Sequence, residues 1–132
     1  STFNTSNIKN DGKPMIIDFW ATWCSPCKAE LNAIAEDYAD WQKETGIKIY
    51  AVSLDDSRTK SRVQPLVNSS EWTYEVMLDE NSDFKRAMGV NNPPHTFIID
   101  SDGTILWQHA GYAQGDEQTM INKYKEIIAN KK

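Results

Sequence analysis

The chain of 132 residues has two cysteines, Cys24 and Cys27, with Ser25 and Pro26 between them. At that spacing two sulfurs can meet within one turn of chain, close as a disulfide and reopen as a dithiol. What surrounds the pair makes the two thiols unequal. An apolar run from Met15 to Ala21 reads as a buried strand ending just before Cys24. A helical pattern then begins, with Leu31, Ile34, Tyr38 and Trp41 on one face and Glu36, Asp37, Asp40 and Lys43 on the other. Projected backward, that apolar stripe reaches Cys27, whereas Cys24 falls at the mouth of the first turn, with Pro26 suited to an early helical position. A thiolate at a helix N-terminus is stabilised by unpaired N–H groups and the positive end of the dipole, which can lower its pKa to roughly 3.5–7.5. Cys24 is thus the expected attacking thiolate, and Cys27 the resolving thiol.

Other readings of the pair are a static structural disulfide and half of a zinc site. Zinc takes about four ligands; no second Cys-x-x-Cys exists, and His95 and His109, the two histidines, lie far downstream without the usual spacing. A Cys-x-x-Cys joining a buried strand to a helix favours redox chemistry.

Trp23-Cys24-Ser25-Pro26-Cys27, following Asp18-Phe19-Trp20-Ala21, resembles the active-site segment of the thioredoxin superfamily. Asn92-Pro93-Pro94-His95-Thr96-Phe97-Ile98-Ile99-Asp100, followed by Asp102-Gly103, resembles that superfamily's second signature, in which a cis-proline faces the disulfide just before a strand. Within the superfamily the chain is most similar to the TlpA/ResA-like branch of bacterial extracytoplasmic thiol–disulfide oxidoreductases, from about Lys13 onward. The implied fold is α/β and thioredoxin-like, a central mixed sheet flanked by helices. The resemblance also implies a central insertion over residues 55–79 and a shortened N-terminal segment, 1–13, in place of the branch's usual hairpin. The whole length, 1–132, reads as one domain.

The resemblance assigns roles residue by residue. Asp18 matches an aspartate of plain thioredoxins that lies beneath the resolving cysteine and accepts its proton, where many members of the branch have asparagine. Independently, a carboxylate on a buried strand is costly without work or a partner, and burial raises its pKa toward neutrality; a salt bridge to lysine or a solvated strand end is the alternative. Pro94 matches the cis-proline, with Pro93 stiffening the approach to it. His95 stands where threonine is frequent and is expected either beside the disulfide or as an exposed loop residue. Gly111 matches a glycine near the cis-proline that allows close backbone approach. Glu30 matches a glutamate near the active-site mouth, although a first-turn glutamate also suits the helix dipole. Asn32 replaces a frequent proline, so that helix is expected to lack its kink. Trp23 is expected to cover the disulfide as an apolar docking surface, and Lys28 to add positive potential near Cys24. Ser25-Pro26 lacks the histidine that stabilises the reduced form of strong oxidants, which lowers the expected potential and favours a reductase.

The remaining elements follow from pattern. Gly46 suits a helix C-cap, and Ile47 to Leu54 reads as a strand covered on both faces. Asp55, Asp56 and Ser57 offer caps to a weak helix over Arg58–Ser69 interrupted by Pro65. A short strand at Glu75–Asp79, a short helix capped by Asn81 or Ser82, a hairpin around Asp102-Gly103 and a closing helix from Asp116 to Asn130 complete the reading. His109, alternating with Ile105 and Trp107, reads as packed rather than catalytic. A short strand is expected near Thr2–Asn4.

The net charge of −5 and the absence of a basic patch argue against a nucleic-acid partner. No run spans a bilayer; the chain begins at Ser1 without Met and reads as a trimmed piece, with targeting information cut away. The expected partners are protein disulfides and an upstream dithiol donor, for a monomer needing no metal or organic cofactor. The competing readings are a disulfide oxidant or isomerase, a peroxiredoxin-like peroxidase and a docking domain of a larger protein. The peroxidase needs threonine or serine three residues before its cysteine, where this chain has Ala21.

Overall fold

The computed structural model describes residues 7–131; the strand expected near Thr2–Asn4 lies outside them. The central strand, β1 (Met15–Trp20), is buried at all six positions. It runs parallel to β2 (Ile49–Ser53), which is itself parallel to β3 (Glu75–Leu78). On its other side β1 is antiparallel to β4 (His95–Ile99), which pairs antiparallel with β5 (Ile105–Ala110). The sheet order β3-β2-β1-β4-β5 is mixed, so the expected α/β class holds.

Helix α1 (Ser25–Thr45) leaves β1 after a short turn and returns the chain to β2. Its stripe of Cys27, Leu31, Ile34, Tyr38 and Trp41 is buried, and Gly46 closes it in the left-handed region at φ 73°. The helix, 21 residues long in all, continues past Asn32 to Thr45. Asn32 is instead an acceptor: its Oδ1 takes the indole N–H of Trp72 at 2.8 Å. Trp72 meets Trp20 edge-on at 5.3 Å, and the Tyr74 hydroxyl donates to the Leu31 carbonyl. This aromatic segment fastens α1 over the sheet.

The weak helix divides in two, a 3₁₀ turn at Lys60–Arg62 and α2 (Val63–Ser70). Pro65 falls in the first turn of α2, where its missing N–H would have had no intrahelical partner, so it does not interrupt the helix. Helix α3 (Asp83–Ala87) is capped neither by Asn81 nor by the Ser82 side chain. The buried Asp79 carboxylate does so, accepting the N–H groups of Phe84 (3.1 Å) and Lys85 (2.8 Å). Helix α4 (Asp116–Asn130) buries Met120, Ile121 and Tyr124.

Candidate active site

Cys24 is the N-cap of α1, and its sulfur accepts the Cys27 N–H at 3.3 Å. The two cysteines are joined as a disulfide with Cα atoms 5.3 Å apart. Cys24 is 6% exposed and Cys27 fully buried, the inequality expected from the helical stripe. Ser25 and Pro26 are exposed, and Lys28 is half-buried with its N–H on the Cys24 carbonyl. Trp23, the residue before Cys24, is 56% exposed.

The turn carrying Cys24 is fixed from behind by a residue that the sequence reading placed elsewhere. Asp55 caps no helix; it is fully buried and receives the Thr22 N–H (3.0 Å), the Thr22 hydroxyl (2.5 Å), the Ser53 hydroxyl (2.6 Å) and the Thr59 hydroxyl (2.7 Å). Four donors satisfy a carboxylate without a cation. They also tie the residue two before Cys24 to the end of β2.

Asp18 sits in the middle of β1 and is fully buried. Among the described residues no lysine or arginine pairs with it, so the salt-bridge and solvated-end alternatives do not apply. Opposite it on β4 lies Thr96, whose hydroxyl is 3.4 Å from Asp18 Oδ1 and 3.5 Å from Glu30 Oε2. Glu30 is not a first-turn helix residue; it lies one turn beyond Cys27 on the buried face, only 4% exposed. Its helix-dipole reading is therefore overturned. One hydroxyl proton cannot serve two carboxylates, and Asp18 Oδ2 and Glu30 Oε1 have no donor while both groups are ionised. A proton held between the two carboxyls, which lie within hydrogen-bonding reach of each other, gives each a partner. Burial raises the pKa of both above the ordinary carboxyl range; the Asp18 charge raises Glu30 further, whereas the hydrogen bond from Glu30 partly offsets the rise at Asp18. The pair is thus a buried acid that keeps a proton at neutral pH.

The Pro93–Pro94 peptide bond is cis, and the Pro94 carbonyl accepts the Gly111 N–H at 2.8 Å. Gly111 is glycine because its φ is +83°; a Cβ there would meet nothing within 4 Å, so close packing is not the reason expected from sequence. His95 follows on β4, stacks on Phe97 at 4.5 Å and bonds Gln108 Oε1 at 2.9 Å. Its cross-strand partner is Phe19, next to Asp18, so alternation puts it on the opposite face of the sheet from Asp18. His109 is partly exposed, stacked on Trp107 and 3.0 Å from Asp116 Oδ2. Thr96 and Asp55 escaped sequence reading because their partners lie 78 and 33 residues away.

A family model described as the AhpC/TSA family matches residues 1–108. A thiol–disulfide oxidoreductase ResA of Oceanobacillus iheyensis is 37% identical over 105 residues, covering 80% of this chain and 52% of that protein. A thiol:disulfide interchange protein DsbE of Yersinia pestis is 33% identical over 110 residues, covering 83% of this chain and 55% of its own length. The chain thus spans about half the length of the curated relatives it matches. A thioredoxin-like protein of Porphyromonas gingivalis, solved in solution, superposes with a TM-score of 0.83 at 49% identity, covering 98% of this chain and 84% of that one. By the matched model and by these relatives, the chain belongs to the AhpC/TSA family of thioredoxin-fold proteins, among members named ResA and DsbE.

Proposed function

We propose that the chain is a thiol–disulfide oxidoreductase working in the reducing direction on protein disulfides. The observation carrying this is the pairing of Cys24, capped into the start of α1, with the buried Cys27 one turn above a proton-holding acid. The Cys24 thiolate attacks one sulfur of a substrate disulfide; that S–S bond breaks and one substrate thiolate leaves. Cys27 gives its proton to the Asp18–Glu30 pair, and its sulfur attacks Cys24. The Cys24–Cys27 bond forms, the mixed disulfide breaks and the second substrate thiolate leaves. Two electrons pass from enzyme to substrate on sulfur alone, so the reaction requires no metal or organic cofactor. An upstream dithiol protein must restore the reduced form.

Direction rests on Ser25-Pro26. Neither residue brings a charge to the Cys24 thiolate, so the reduced form is less stabilised than in strong oxidants. Trp23, Pro93 and Pro94 are assigned to substrate docking, with Gly111 holding Pro94. The names of the relatives, with two cysteines that are both in the motif, support an extracytoplasmic, periplasmic setting. Among the described residues no helix is long and apolar enough to cross a membrane. The test is reduction of a protein disulfide by the purified chain with dithiothreitol as the electron source. Turnover above the dithiothreitol background is expected, and Cys24→Ser should remove it; a chain no faster than background would end the reading.

A further inference from the structure

In the register of the sheet, Asp18 faces Thr96 across β1 and β4, and Thr96 faces His109 across β4 and β5. Directly opposed residues project to the same side of a sheet. Asp18, Thr96 and His109 therefore form one row, beneath which α1 brings Glu30 to the Thr96 hydroxyl. The inner end of the row is fully buried, whereas the His109 side chain is 43% exposed. Asp116 fixes the ring at 3.0 Å and is itself held by the Ala113 N–H at 2.8 Å.

The other titratable groups around the carboxyl pair are already committed. The Tyr74 hydroxyl, between α2 and β3, donates to the Leu31 carbonyl. The Tyr112 hydroxyl, between β5 and α4, donates to Glu117 Oε1 at 2.7 Å. Of the charged side chains acting on Glu30, Asp18 opposes its ionisation and His109 favours it. When protonated, His109 is therefore a cation that a negative charge on Glu30 meets.

We propose that His109 is a positioning residue of the redox site: held by Asp116 at the solvent end of the row, it supplies the counter-charge that keeps the buried carboxyl pair singly ionised and ready to take the Cys27 proton. The inference rests on the oxidoreductase reading and deepens it. Without the imidazolium, the pair holds both its protons to higher pH and has no room for a third.

The test is a carbon-13 NMR titration of the Asp18 and Glu30 carboxyls in the oxidised full chain, which needs no turnover and so is independent of whether the protein proves to be a reductase. His109→Gln should move the first ionisation of the pair upward by about one pH unit, because removing a nearby cation disfavours the anion. His109→Lys, which restores the charge but not the ring, should return the midpoint most of the way. His109→Asn should move it as His109→Gln does, and it serves if His109→Gln does not fold. Titrations that overlay the unsubstituted protein in both His109→Gln and His109→Asn would overturn the proposal. So would equal shifts in His109→Gln and His109→Lys, which would show that ring packing, not charge, is responsible.

Discussion

Cys27→Ser is expected to stop turnover and leave the chain covalently joined to its substrate through Cys24. The reason is geometric. Cys27 is held within the same helical turn as Cys24, and well-oriented intramolecular partners act at effective concentrations on the order of 10⁵ M or more. A millimolar external thiol cannot match that, so the mixed disulfide persists. Serine is close in size to cysteine and fits the fully buried site without a large void, so the loss reports chemistry rather than unfolding. Cys24→Ser is the counterpart: the attacking sulfur is gone and no adduct forms. Non-reducing electrophoresis and intact mass of the two variants, incubated with a disulfide-bonded protein, distinguish them. Adducts on Cys24→Ser but not on Cys27→Ser would reverse the assigned roles.

Asp18→Asn is expected to have two effects of opposite sign. At neutral pH the resolving step should slow by about 10²-fold, the lower range for a lost general base. Stability should rise. Burial lifts the Asp18 pKa, so between the unfolded carboxyl value of about 3.9 and the raised folded value the native state binds more protons than the unfolded one. Stability therefore falls as pH rises through that window, and the deficit persists above it. Asparagine removes the titration, and its amide can donate to the Glu30 carboxylate. The variant should be more stable by about 1–3 kcal/mol at pH 7–8, with little difference near pH 3. Urea unfolding at several pH values, beside stopped-flow kinetics of disulfide closure, reads both. A variant less stable at pH 8 with an unchanged closure rate would contradict the acid-pair account.

Much of this architecture is legible in local pattern. The run from Met15 to Ala21 and the stripe from Cys27 to Trp41 state their burial through period alone, and Gly46 and the Asp102-Gly103 turn mark where elements stop. The closing helix, Asp116–Asn130, is bounded as the pattern indicates. Polar residues that turn inward are harder to read, because a pattern of apolar positions is silent about them. Glu30 lies three residues after Cys27 and four before Ile34, a spacing that places it on the buried face. Its charge nevertheless invited a helix-dipole reading. Asp55 and Asp79 have the composition of helix caps; Asp79 is one, and Asp55 instead anchors the Cys24 turn. Their partners are set by the way strands align across the sheet, and so is the row joining Asp18, Thr96 and His109. Such alignment is a tertiary fact with no local signature.

The central claim, that an uncharged Ser25-Pro26 bridge on a helix N-terminus makes this pair an electron donor, is tested most directly by its equilibrium potential. The Cys24–Cys27 couple would be titrated against defined thiol buffers, with the reduced fraction read by thiol alkylation and mass. The account predicts a value near or below about −250 mV, in the range of reductants such as thioredoxin. A value between about −180 and −120 mV would mean that the reduced form is strongly stabilised, and the protein would be an oxidant or isomerase.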